Sequence, residues 1–272
     1  MQEKSPGVVV ESRIEHRPVP KSWGDSELTR FLALLEEQTL ASFAAFPEWF
    51  GILIRIDQSV TEKAPDFFHE IDPPRRISAK LFMRCFATYR AAVRLSVSGQ
   101  LFEATVVMRS LLESAVYAWV CCVSEQHRKA WEDRGDGDAE RKVARDLFVW
   151  TNLLKKLKGA NEALAGRISA EYDRLIDLGA HPNVDGLALS SDVKQLDHDK
   201  YEIITVFAHG REAVLVGVLD LLRCMHYVCQ LLFMVIKERL QLLGLDAEFQ
   251  KTAALIHELI DKLEAEQNGK GD

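Results

Sequence analysis

The sequence predicts a mainly all-α fold: a multi-helix bundle with long antiparallel helical hairpins and one small β-hairpin insertion. Three observations carry this. Apolar residues recur at the 3.6-residue helical period over most of the chain. Gly99 separates two long striped segments, as the turn of a helical hairpin would. Short β-rich runs appear in one place only, at about 187–207.

The chain has 272 residues, 47% of them hydrophobic and 28% charged, which is the composition of an ordinary globular protein. The reading divides it into a disordered or loosely attached arm over 1–25, one helical domain over 26–264 and a frayed polar tail over 265–272.

Ser26 is a helix cap, and Leu28, Phe31, Leu32, Leu35, Leu40, Phe43 and Phe46 carry a first helix to Pro47. A second apolar run spans Trp49 to Val60. Pro65 and Pro73-Pro74 then bracket a loop around Phe67 and Phe68. Leu81, Phe82, Cys85, Phe86, Tyr89, Ala92 and Val93 mark a long helix ending at Gly99. Leu101, Ala104, Met108, Leu111, Leu112, Ala115 and Trp119 mark its antiparallel partner.

A charged stretch, Glu125 to Arg134, leads to a Gly-Asp-Gly-Asp turn whose Asp138 caps the next helix. That helix carries Val143, Leu147, Trp150, Leu154 and Leu157 to Gly159. Asn161 caps another, with Leu164, Ile168, Leu175 and Leu178 on its buried side and Gly179 at its end. Leu187 to Val193 and Tyr201 to Phe207 are the strands of the hairpin, around the polar segment Lys194 to Lys200. From Arg211 the helical period returns through Ile236, and a last helix carries Phe249, Ile256, Leu259, Ile260 and Leu263.

The formal charge of -7 gives no global field for nucleic acid or anionic lipid. The five cysteines are scattered through apolar helical stretches without a CxxC pair, and Met1 to Pro20 has no apolar core of signal-peptide length. Both features predict reduced thiols and a cytoplasmic protein. The most apolar segment, Ala213 to Ile236, contains Asp220 and Arg223 and reads as a buried bundle helix rather than a membrane span.

Three constellations are candidates for chemistry. Arg109 and Glu113 are four apart and share a helix face that Tyr117 continues. The pair is either half-buried and structural or lines a polar pocket. Asp220, Arg223, Tyr227 and Gln230 form a polar line on the late helix, beside His226. It either satisfies core hydrogen bonds or marks a dimer seam or an interior network shared with Arg109. Arg174 and His181 are seven apart, but Gly179 and Pro182 stop the helix before the histidine, leaving it in an extended turn. No HExxH, Walker, GxSxG or Rossmann motif is present, and His198 and His209 lack partners at metal-ligand spacing. No cofactor and no metal are expected.

With Arg109-Ser110-Leu111-Leu112-Glu113 and Gly179-Ala180-His181-Pro182-Asn183 in view, the chain resembles a group of bacterial helical proteins of unassigned function. These pair an R-[ST]-L-[LF]-E helix with a later histidine turn, and the likeness runs from about Leu81 to Ile236. More distantly, Arg174 and His181 resemble the Arg, four to six residues, His pattern of HEPN ribonucleases. That resemblance implies a homodimeric, metal-independent ribonuclease, with His181 as general acid or base and Arg174 stabilising phosphorane charge. Arg109 or Arg223 would add a phosphate contact. Two other readings stand beside it: a non-catalytic dimeric interaction or structural module, and a sensor that binds a small anionic ligand between helices.

Overall fold

The computed structural model describes residues 18, 20–180, 184, 186–187, 191–205 and 211–268. The fold is mainly helical, with one small antiparallel hairpin, in agreement with the class read from the sequence.

Helix α1 (Glu27–Ala45) begins at Ser26, whose hydroxyl accepts from the Thr29 amide while Thr29 reaches back to the Ser26 amide, a reciprocal cap. Pro47 opens α2 (Pro47–Ile56), which passes into a π-helical turn, Asp57–Thr61. The segment between Pro65 and Pro74 is more ordered than the expected loop. It holds a single-turn helix, α3 (Ala64–Phe67), and a 3₁₀ turn, Pro73–Arg75. Proline at a first helical turn removes only an amide that has no intrahelical partner.

The spine is the hairpin of α4 (Arg76–Val97) and α5 (Leu101–Val123). Gly99 has φ 80°, and two backbone bonds close the turn, Gln100 N to Leu95 O at 2.9 Å and Gly99 N to Ser96 O at 3.1 Å. This is a Schellman arrangement, which places a left-handed residue just past a helix end, where glycine costs least.

Helix α6 (Glu125–Asp133) occupies the stretch read from sequence only as a charged lead-in. Helices α7 (Asp138–Leu147) and α8 (Trp150–Ala160) then replace the single helix expected from Val143 to Leu157. The chain breaks at Phe148 and Val149, and Val149 is extended at φ -63°, ψ 128°. Val143 is accordingly exposed, whereas Leu153 is fully buried. Gly137, not Asp138, holds the cap position of α7.

Asn161 caps α9 (Glu162–Leu175), its side-chain oxygen accepting from the Leu164 amide at 3.0 Å. The helix relaxes into a π turn, Ile176–Ala180, with Gly179 at φ 121°. There a Cβ would lie 2.5 Å from the Phe102 ring, so both backbone and space require glycine.

The hairpin is displaced from its expected register. Strands β1 (Ser191–Asp197) and β2 (Lys200–Thr205) pair through the polar segment expected as the turn, which shrinks to His198-Asp199. Val193, Leu196, Tyr201 and Ile203 are exposed on it. Residues 206–207 lie outside the described residues.

Helix α10 (Arg211–Leu242) packs against both α4 and α5, and α11 (Asp246–Asn268) folds back on it. The expected polar tail is therefore helical as far as Asn268. The Ser96 hydroxyl donates to Gly217 O at 3.4 Å, joining the α4–α5 turn to α10. Ser78 donates to Ala118 O at 2.7 Å between α4 and α5. Buried Thr252 on α11 meets Ser59 of the π turn at 3.1 Å. Phe82, Phe86, Met108, Leu111, Leu112, Leu222 and Met225 are among the buried side chains between these helices.

By length and composition, α5 and the Ala213–Leu242 part of α10 are apolar enough to cross a membrane. The bent pair at Pro47 also passes if taken as one span. Within the fold, 56% and 61% of the two apolar windows are buried against protein.

The break between α7 and α8 makes opposite demands on two aliphatic positions. Leu153→Ala is expected to cost about 2–5 kcal/mol, whereas Val143→Ala stays within about 0.5 kcal/mol. Urea unfolding followed by circular dichroism measures both.

Candidate functional site

The residues singled out in the sequence fall into two polar networks, and α9 carries part of each. On its α5 side, Arg109 Nε donates to Glu113 Oε1 and to the Tyr172 hydroxyl, both at 3.0 Å. The Tyr172 hydroxyl donates in turn to Glu113 Oε1 at 2.9 Å. The triangle is half-buried. The Arg109 guanidinium also lies over the Tyr172 ring, 5.2 Å from its centroid, and Trp150 stacks on that ring at 4.1 Å.

Burial and the neighbouring Glu113 push the Tyr172 phenol up to about 12, so it stays a donor at neutral pH. Tyr117, one turn beyond Glu113, bonds elsewhere: its hydroxyl donates to Phe148 O at 3.3 Å.

On the α10 side, Arg174 is held between two carboxylates. Its Nη2 lies 2.6 Å from Glu171 Oε1 and 2.5 Å from Asp220 Oδ1, and Arg223 Nη1 reaches the same Asp220 oxygen at 3.1 Å. Both acids are interior, with side chains 5% and 2% exposed. Burial raises the Glu171 carboxyl while the hydrogen bond and charge of Arg174 lower it, leaving it above the usual carboxylate range. Burial lowers the Arg174 guanidinium, but the two acids outweigh that and raise it well above its ordinary value. Two arginines and two carboxylates thus form a charge-balanced group whose acids are interior and whose arginines, 34% and 18% exposed, reach toward the surface.

Tyr227 is half-buried beyond this network, its phenol raised by burial and then by the Glu171 charge. Gln230 accepts from Arg167 at 3.3 Å and meets the His226 ring, so the lower end of the polar line turns toward Arg167 and α11. His226 stacks on His257 at 5.4 Å.

The expected interior network is therefore divided: Arg109 and Glu113 close on Tyr172, and Arg223 closes on Asp220 with Arg174. His181 and His209 lie outside the described residues, while His198 sits exposed in the hairpin turn. Sequence reasoning missed Glu171, Tyr172 and Trp150 as members. Glu171 stands one turn before Arg174, and Tyr172 keeps the helical step from Ile168 to Leu175, so both positions were signalled by spacing.

Among the described residues, no group of three or more His, Cys, Asp or Glu side chains is placed to hold a metal ion. Four of the five cysteine thiols are fully enclosed and Cys122 is half-buried; burial raises all of them, Cys121 to about 12. None is poised as a thiolate nucleophile. No family model, curated protein or solved structure matches the chain.

Burial, His257 and Arg167 together lower the His226 imidazole from 6.5 to about 4. A histidine with a depressed value stabilises the fold above its unfolded value, and that contribution is lost as the pH falls from 6.5 toward 4. The melting temperature should drop across this window, and His226→Gln should flatten the drop. Differential scanning calorimetry in buffers between those limits reads the slope for both proteins.

Proposed function

We propose that this protein acts by binding, as a non-catalytic helical module whose buried and half-buried charged residues hold α5, α9 and α10 in register. The observation that carries this reading is the position of Arg174 between Glu171 and Asp220. A guanidinium already neutralised by two buried carboxylates has little charge left to offer a phosphorane. The same holds for Arg223, bonded to Asp220, and for Arg109, bonded to Glu113. Such paired groups fit a registering role, in which removing one partner strips the others of charge-assisted hydrogen bonds between helices.

The ribonuclease reading takes Arg174 and His181 as its pair. It requires Arg174 to leave its carboxylates when RNA binds, with a second copy completing the site. We also read the bundle as lying outside the lipid phase. Arg109 with Glu113, and Asp220 with Arg223, place ion pairs within the two most apolar helices.

Asp220→Ala is expected to lower stability by about 1–3 kcal/mol, the scale of lost hydrogen bonds to a charged group, measured by denaturant unfolding. In metal-free buffer the purified protein should leave a labelled single-stranded RNA intact. Cleavage that disappears in His181→Ala would overturn the binding reading in favour of the nuclease.

A further inference from the structure

A cavity of about 570 Å³ opens where α5, α6 and α7 meet, and neither the Arg109–Glu113–Tyr172 group nor the Glu171–Arg174–Asp220–Arg223 group lines it. One side is aromatic. The Tyr117 and Phe148 rings meet at 4.9 Å, Trp131 and Phe148 at 5.2 Å, and Tyr117 and Trp131 at 5.7 Å, all edge to face. The bond from the Tyr117 hydroxyl to Phe148 O fixes this wall across two helices.

The rest of the lining is largely cationic. Arg134, Arg141 and Arg145 line it with a single carboxylate, Asp138. Arg141 is bonded to that carboxylate at 3.1 Å in a solvent-exposed pair that an incoming anion can replace, unlike the pairs to buried Glu171 and Asp220. Arg134 lies over the Trp131 ring at 4.8 Å. All three arginines are exposed, so a solute can reach them. His127, packed behind Phe148, adds no charge at neutral pH, because burial and then Lys156 lower its imidazole below 6.5.

We infer that this cavity binds a small aromatic phosphate monoester, with its ring on the Tyr117–Trp131–Phe148 wall and its phosphate among Arg134, Arg141 and Arg145. Charge selects the anion. Three guanidinium groups facing one carboxylate leave an excess of two positive charges, and a phosphate monoester carries about -1.5 to -2 at neutral pH. A monocarboxylate would leave part of that excess unmatched. Guanidinium groups also pair with phosphate oxygens two at a time, which orients the ester bond.

Geometry selects the ring: the aromatic and cationic walls share one cavity, so a solute carrying both groups engages both walls. The volume lies within the usual range for a small-molecule site. The inference deepens the binding reading by giving the ligand a chemical class. It differs from that reading in the residues it depends on.

Isothermal titration calorimetry on the full chain, at low ionic strength, tests it with four probes: adenosine monophosphate, phenyl phosphate, adenosine and inorganic phosphate. At least one of the two aromatic esters should bind about tenfold or more tightly than either adenosine or inorganic phosphate. Replacing Arg141→Gln and Arg145→Gln together should weaken that binding by about tenfold or more, the scale of one lost charge-assisted hydrogen bond. These exposed positions should leave the melting temperature nearly unchanged.

Four results overturn the inference: no binding of either ester, inorganic phosphate binding as well as the esters, adenosine binding as well as the esters, or undiminished binding in the double variant. The RNA assay on the same preparation keeps the two readings apart. Loss of ester binding without RNA cleavage removes this site and leaves the module reading standing, whereas His181-dependent cleavage removes the module reading itself.

Discussion

Helix α5 imposes the constraint on which the rest of the fold depends. Its buried positions include Leu101, Ala104, Met108, Leu111, Leu112, Ala115, Val116, Ala118 and Trp119, so its apolar surface runs most of the way around the helix. A helix of that kind has to be enclosed by other apolar surface. Helices α4 and α10 cover much of it, and α8 and α9 pack against it as well. Alanines at 104, 115 and 118 keep these neighbours close. Arg109, Glu113 and Tyr117 lie on the remaining edge, where charge is tolerated because Tyr172 and the Phe148 backbone supply hydrogen-bonding partners.

Helix α9 meets that edge with chemistry suited to it. Neighbouring positions in its sequence serve different neighbours: Tyr172 turns to α5, while Glu171 and Arg174 turn to α10. The apolar residues Leu164, Ile168 and Leu175 provide its buried stripe, and the flanking polar residues set where along the other helices it sits. Apolar contact alone allows a helix to slide or rotate by small amounts, whereas charge-assisted hydrogen bonds fix one register. The burial of Glu171 and Asp220 is thus consistent with a specificity role, a use of interior ion pairs in proteins that gain little net stability from them.

The parts of the fold legible from sequence were those set by local signals. Ser26, Gly99 and Asn161 mark helix ends through their own backbone or side-chain chemistry, and each stands where the sequence places it. The α7–α8 break was not legible, because the step from Leu147 to Trp150 to Leu154 stays in helical phase across an extended Val149. Helix α6 was hidden by its charge, since its buried face is made by His127 and Ala130 rather than by aliphatic residues. At the site, pairs three or four residues apart could be read directly, as with Arg109 and Glu113 or Asp220 and Arg223. Tyr172 is far from Glu113 in sequence, and Arg174 is far from Asp220, so only packing brings them together.

The extended Val149 joins two aromatic contacts into one mechanical unit. Phe148 on one side of it lies against Tyr117, and Trp150 on the other lies against Tyr172. Tyr117 borders the α5–α6–α7 cavity and Tyr172 closes the Arg109–Glu113 triangle, so one backbone residue spans the distance between a surface recess and a half-buried hydrogen-bond group. Contacts joined through one residue are expected to couple, so the energetic effects of substitutions at Phe148 and Trp150 should combine non-additively.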